Sequence, residues 1–200
     1  MNYTESFKAI DAEIKKADSI VILRHESPDP DAIGSQVGLK EIIRATYPEK
    51  TIYLLGEMPK SLTYIGEMDE ITREQFDASL IIVLDCANTP RIDCPFEVDP
   101  SKVIKIDHHP DRDVYGAISF VDINSSSTSE ILCRFAFGEE STWKVSNEAA
   151  NALYAGIVGD TGRFLYPATT AVTFAMVSKL LEYDVDISGI AYHMITNPVS

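Results

Sequence analysis

Imidazole and carboxylate side chains, the groups that hold divalent cations and move protons, fall in a few short runs of this sequence. Arg24-His25-Glu26-Ser27-Pro28-Asp29-Pro30-Asp31 offers one histidine and two spaced aspartates. Asp85-Cys86 offers a lone carboxylate, and Asp107-His108-His109 a carboxylate with two rings. Three of the chain's four histidines lie in these runs, which argues against chance scattering. In an extended segment, residues two apart project to one side, roughly 6–7 Å apart along the backbone. Read as extended, with Pro30 disfavouring helix at Asp29, Asp29 and Asp31 would each reach one of two cations about 3.5–4 Å apart. His25 could then join Asp29 on the first. The competing reading of this run alone is a surface Asx turn beside a histidine.

Asp85 directly follows the apolar run 80–84. A carboxylate at the tip of a buried strand is either a helix cap or a ligand. Pro90 comes too soon for a helix to start at 86–88, so capping is the weaker account, and the central position suits an oxygen bridging two cations. Adjacent histidines should not both point one way, so His108 and His109 should differ in role. One ring would bind a metal while Asp107 orients it from behind. The other would face the substrate as a phosphate donor or as general acid for the leaving oxygen. A pair of solvated turn histidines is the alternative. Asp160 closes an apolar helical stretch within Gly156-Ile157-Val158-Gly159-Asp160-Thr161-Gly162, where small residues permit close backbone approach. The helix dipole disfavours a carboxylate at that end, so a compensating cation is called for.

These runs would meet only if the elements before them lay side by side. Short β-branched runs at 19–23, 51–55, 80–84 and 103–106, with a weaker one at 117–121, read as strands covered on both faces. Helical spacing marks 3–16, 32–46, 129–137, 147–158, 169–183 and 187–195. Strands alternating with helices imply an α/β fold: a mostly parallel five-stranded sheet flanked by helices, a three-layer sandwich. The stretch between Val83 and Val103 contains Pro90, Pro95 and Pro100 and should be irregular. Ligand sites of open parallel sheets form beyond the carboxyl ends of the strands, and that is where the His25, Asp85 and His108 runs fall.

Composition narrows the function. A net charge of −14 repels nucleic-acid backbones and lipid headgroups, which disfavours binding through a basic patch. A phosphate ester would need positive charge from elsewhere, and bound divalent metals would supply it. No membrane partner and no long duplex nucleic acid are expected. The three cysteines, Cys86, Cys94 and Cys133, show no CxxC spacing and suit buried positions in a cytoplasmic protein.

In order, the runs His25-x-x-Pro28-Asp29-x-Asp31-Ala32-x-Gly34-Ser35, Leu84-Asp85, Ile106-Asp107-His108-His109, Ser126-Ser127-Thr128-Ser129-Glu130 and Gly159-Asp160-Thr161-Gly162-x-Phe164 resemble the DHH phosphoesterase superfamily. Within it the nano-RNase (oligoribonuclease)/pAp-phosphatase group is the most similar. The resemblance implies a site for two Mn²⁺, with Mg²⁺, Co²⁺ or Fe²⁺ as other occupants. His25, Asp29 and Asp85 would hold the first ion; Asp31, Asp85, His108 and Asp160 the second, with Asp85 bridging. His109 would contact the scissile phosphate and assist the leaving group, and Asp107 would stand behind the ligands. The mechanism implied is in-line attack by a metal-bridging hydroxide. Ser127, Thr128 and Arg163 are candidates for holding phosphate or base, weighed against helix capping at the Ser-Thr-x-Glu segment.

The substrates this implies are short RNA oligonucleotides and 3′-phosphoadenosine 5′-phosphate, with a cyclic dinucleotide or inorganic pyrophosphate as rivals. A nucleotide-binding domain that is inactive without its C-terminal partner domain is the non-enzyme alternative. Family members continue into a smaller substrate-gripping domain with a Gly-Gly-Gly-His motif that nothing here matches. Residues 1–196 are therefore expected to form the catalytic domain and 197–200 the start of an interdomain linker. The sequence does not fix the oligomeric state.

Overall fold

The computed structural model describes residues 2–196. Five strands, β1 (Ser19–Leu23), β2 (Thr51–Leu54), β3 (Leu80–Leu84), β4 (Ile104–Asp107) and β5 (Ile118–Val121), form one sheet in the order β2-β1-β3-β4-β5. Every pairing is parallel. The chain works outward from β1 to β2, then returns across β1 to β3, so the first and third strands are neighbours. Such a reversal opens a crevice at the carboxyl ends.

The broader face of the sheet is covered by α1 (Tyr3–Lys16), α2 (Pro30–Thr46), α4 (Thr128–Ala136) and α5 (Asn147–Asp160), which share one apolar core with Ile20, Ile22, Ile82, Leu84, Ile104 and Ile106. The opposite face is thinner. It packs Val21, Leu23, Val83 and Val103 against Phe76 of the short helix α3 (Arg73–Asp77) and against the irregular segment after β3. The three expected layers are therefore uneven. Helices α6 (Ala171–Leu180) and α7 (Ile187–Thr196) complete the described chain. Among the described residues, no helix is long and apolar enough to cross a membrane. The expected linker at 197–200 lies outside the described residues.

Two helix packings set the site. A Cβ on Gly34 of α2 would come 2.5 Å from the Ala152 carbonyl oxygen of α5, and one on Gly156 of α5 would come 2.1 Å from Ser129 Oγ of α4. Only bare backbone lets the three helices approach so closely. Asp31 lies one turn before Gly34 and Asp160 one turn after Gly156, so this approach faces the two carboxylates across the crevice.

A second buried carboxylate ties the far side of the core. Asp11 of α1 accepts hydrogen bonds from Tyr47 Oη at 2.6 Å and Trp143 Nε1 at 2.7 Å, and pairs with Lys15 Nζ at 2.7 Å. Burial alone would raise its pKa, but the Lys15, Tyr47 and Trp143 bonds outweigh it and hold the carboxyl below its usual value.

Candidate metal centre

The run from His25 to Asp31 is not extended as the spacing suggested. Asp29 is the N-cap of α2, its Oδ1 accepting from the backbone N–H groups of Asp31 and Ala32 at 2.9 Å each, with Pro30 in the first turn. An aspartate followed by proline is a helix start, because the missing N–H is one that the first turn leaves unpaired anyway. Asp31 therefore projects from the first turn of α2, fully buried, onto the N-terminus of α4. Its Oδ2 accepts from Thr128 N at 2.7 Å and its Oδ1 from Ser129 N at 3.0 Å.

Asp85 sits one residue past β3 with φ of 52°, a left-handed backbone that a non-glycine residue seldom adopts. Its carboxylate is 1% exposed and central to the cluster. Oδ2 lies 3.4 Å from His25 Nε2, while Oδ1 lies 3.4 Å from His108 Nε2 and accepts from Thr128 Oγ1 at 3.1 Å. His108 Nε2 also lies 3.1 Å from Asp160 Oδ2 at the end of α5, and His25 Nε2 lies 3.8 Å from Asp29 Oδ2. The structure thus brings His25, Asp29, Asp31, Asp85, His108 and Asp160 together. Ligand atoms of His25, Asp29 and Asp85 lie within 4.8 Å of one another, as do those of Asp31, His108 and Asp160. Asp85 faces both sets.

The expectation that His108 and His109 diverge fails. Their ring centroids are 4.2 Å apart, and His109 Nδ1 also stands 3.4 Å from Asp85 Oδ1. Strand alternation ends with β4 at Asp107, so it no longer dictates where the next two side chains go. Asp107 stands behind His109 and not His108: its Oδ1 accepts from His109 N at 3.1 Å and lies 3.0 Å from His109 Nδ1. The contact of His108 Nδ1 is the Ser125 carbonyl, at 3.4 Å.

The donor set fits cations. His25 Nδ1 lies 2.7 Å from the Glu26 carbonyl oxygen and 3.1 Å from Arg91 Nη2, while its Nε2 faces the Asp85 and Asp29 carboxylates. Asp85 Oδ2 and His108 Nε2 are buried with no hydrogen-bond partner. Lone pairs converging on lone pairs require positive charge between them, as protons or as metal. Without metal the cluster takes protons. Burial works against a charged His108, but the Asp160 and Asp85 carboxylates push it up to about 12. Hydrogen bonding to Asp107 and then to Asp85 raises His109 to about 10. Burial, with Asp85 and Asp160 nearby, drives Asp31 well above the carboxylate range. Asp85 goes the other way: its burial is outweighed by His108, His109 and His25, and its pKa falls well below the usual value.

Ser127 and Thr128 are wholly buried and present no surface to a substrate. Ser127 N-caps α4 through Glu130 N at 3.0 Å, so the capping alternative holds there, while Thr128 braces Asp85. The Glu130 carboxylate does not close a capping box; it accepts from Ser126 Oγ at 2.6 Å and Thr173 Oγ1 at 2.7 Å. Arg163 is exposed on a left-handed turn three residues past Asp160, φ 61°. Sequence reading missed a clamp behind His25. Arg24, fully buried, binds Asp93 and the Glu57 carbonyl, while residues 24–26 bond to 91–93 through Glu26 N to Arg91 O at 2.8 Å and Asp93 N to Arg24 O at 2.9 Å. An arginine directly after an all-apolar strand was the available signal.

Known proteins agree with this architecture. The chain is 50% identical over 193 residues to "Probable bifunctional oligoribonuclease and PAP phosphatase NrnA" of Streptococcus mutans, covering 96% of this chain and 62% of that protein. It is 47% identical over 167 residues to "Bifunctional oligoribonuclease and PAP phosphatase NrnA" of Bacillus subtilis, covering 83% and 53%. The chain thus spans between half and two thirds of the length of these relatives. A crystal structure of an exopolyphosphatase-related protein from Bacteroides fragilis superposes with a TM-score of 0.82 at 26% identity, over 96% of this chain and 61% of that one. The family model "DHH family, N-terminal domain" matches residues 19–157, which include every cluster residue except Asp160. With a match over more than half its length, the chain belongs to the DHH family.

Proposed function

We propose that this chain carries the catalytic centre of a two-metal phosphoesterase that hydrolyses short oligoribonucleotides and 3′-phosphoadenosine 5′-phosphate. One observation carries the reading: the two oxygens of Asp85 face two separate ligand sets, Oδ2 toward His25 and Oδ1 toward His108. That is the geometry of a carboxylate shared by two ions. His25, Asp29 and Asp85 would hold one; Asp31, Asp85, His108 and Asp160 the other, and the mixed oxygen and imidazole donors suit Mn²⁺. The ions, when bound, supply Lewis acidity at phosphorus and make water a nucleophile at neutral pH.

The protein's own groups do the rest. Asp31 is fixed by the N-terminus of α4 and cannot swing away. His109 is the half-exposed member of the cluster, its side chain 45% accessible. Asp107 engages its Nδ1, which leaves Nε2 free to meet a substrate oxygen. A protonated ring there can donate to the departing alkoxide. Arg163 stands on the turn beside Asp160, where a guanidinium can meet a second phosphate of the substrate. The names of the two NrnA relatives support the choice of substrates.

The test is hydrolysis under Mn²⁺ of a linear RNA dinucleotide, a cyclic dinucleotide, 3′-phosphoadenosine 5′-phosphate and pyrophosphate in parallel. Turnover of the linear dinucleotide and of 3′-phosphoadenosine 5′-phosphate is the expected result. Preference for pyrophosphate or for the cyclic dinucleotide would replace the substrate assignment. No turnover of any of the four, with Mn²⁺ bound, would overturn the enzyme reading.

A further inference from the structure

Lys105 is a full positive charge in the middle of β4, flanked by Ile104 and Ile106 and 0% exposed. Removing an ammonium from water is costly unless it is paired, and an aliphatic residue would fill this apolar layer at no such cost. Its Nζ donates to Asp111 Oδ1 at 2.6 Å, lies 4.6 Å from the centroid of the Tyr115 ring, and stands 3.7 Å from Asp107 Oδ2. Residues two apart on a strand share a face, so Lys105 and Asp107 project to the same side. Asp107 is itself 0% exposed, and its two oxygens are differently used. Oδ1 engages His109 through both N and Nδ1, whereas Oδ2 is buried with no hydrogen-bond partner. The charge opposite that free oxygen is Lys105. Through Asp111 the same ammonium anchors the far end of the turn on which His108 and His109 sit.

We propose that Lys105 is a positioning residue for His109. It touches neither ligand set. Its attraction fixes the Asp107 carboxylate in the rotamer that grips His109 Nδ1, and its bond to Asp111 fixes the turn, so Nε2 is presented to the substrate. Groups behind a reactive imidazole typically change its performance by roughly 10–100-fold when removed. Only the kinetic readout rests on the phosphoesterase reading above.

The kinetic experiment is a double-mutant cycle of Lys105→Met and His109→Ala with a linear dinucleotide at saturating Mn²⁺. Lys105→Met should lower kcat roughly 10–100-fold with KM unchanged, and should add nothing to the loss already caused by His109→Ala. An unchanged kcat, or a loss that multiplies with that of His109→Ala, would overturn the proposal. A second measurement needs neither turnover nor the Lys105 variant. In ¹⁵N-labelled wild-type protein with Mg²⁺, His109 should show a slowly exchanging, hydrogen-bonded Nδ1–H resonance. Its absence would overturn the positioning role even in a variant-free experiment. A wild-type protein that shows this resonance but turns over no substrate would instead count against the phosphoesterase reading alone.

Discussion

Asp11 and Asp85 are both carboxylates buried in the same domain, and their surroundings are opposite. Asp11 is met by a phenol, an indole N–H and an ammonium, and it joins α1 to the end of α2 and to the segment before α5. Asp85 is ringed by imidazoles, its Oδ2 is left without a donor, and its backbone is left-handed. Polar burial alone therefore does not mark a functional site. What marks it is a set of acceptors that the protein brings together without supplying the positive charge they need. The first arrangement holds the fold; the second gives up stability for a place to bind cations.

The sharpest way to break that contrast is to remove each carboxylate in turn. Asp85→Asn should reduce turnover by roughly 10²–10³-fold or more, the scale seen when a group stabilising developing charge is lost. Circular dichroism and the melting temperature should be little changed. A variant that loses its fold while retaining specific activity would reverse the roles assigned here. His109→Ala comes next, slowing turnover by roughly 10²–10⁴-fold with Mn²⁺ stoichiometry preserved in calorimetry. An unaltered rate would remove His109 from the chemistry.

Asp11→Ala should show the opposite pattern. It strands a buried indole N–H and a half-buried phenol, costing about 3 kcal/mol, or roughly 6–12 °C in melting temperature for a chain of this size. Activity per folded molecule should stay at the wild-type level, as a calorimetric scan beside an active-site titration would show.

Metal addition should repair the Asp85 region and leave the Asp11 region indifferent. At Mn²⁺ a hundredfold above its dissociation constant, the stabilisation should be about 2.7 kcal/mol per site, present in Asp11→Ala and lost in Asp85→Asn. Its pH dependence follows from the metal-free cluster. His108, a ligand raised to about 12, still holds its proton at neutral pH, so binding must expel it. Affinity should therefore rise with pH, and titration calorimetry in buffers of different ionisation enthalpy should register proton release. A pH-independent affinity would contradict the protonated cluster. The smallest effect belongs to Ser127→Ala, about 1 kcal/mol for a lost N-cap, with KM unchanged; a raised KM would restore Ser127 to the substrate site.

Much of the frame could be read from the sequence because parallel strands covered on both faces are written as unbroken β-branched runs, and all five were bounded within a residue of their observed ends. The ligand runs could be read because they follow those strands directly. What failed shares a cause. Asp29-Pro30-Asp31 looked extended because proline was taken as a helix breaker, although at the first helical position it is a starter. Ser127 and Thr128 were candidates for holding phosphate or base, whereas both are buried at the start of α4, Ser127 as its N-cap and Thr128 against Asp85. Nothing in the sequence marked Arg24 and Lys105 as enclosed, since sequence does not show that a cation is buried until its partners are known. Each error concerned which neighbour a side chain meets, not which element carries it.

The cluster residues span much of the chain, from the loop after β1 to the last residue of α5. A nascent polypeptide that has emerged only as far as Asp107-His108-His109 lacks Asp160 and the α4 N-terminus that seats Asp31, so it cannot offer the Asp31, His108 and Asp160 donors as a set. A cation held by Asp31, His108 and Asp160 would reach its full set of donors only after closure of the α2–α5 contact. Loading of that set with metal would therefore report that synthesis and packing have passed residue 160, and would tie the start of α2 to the end of α5.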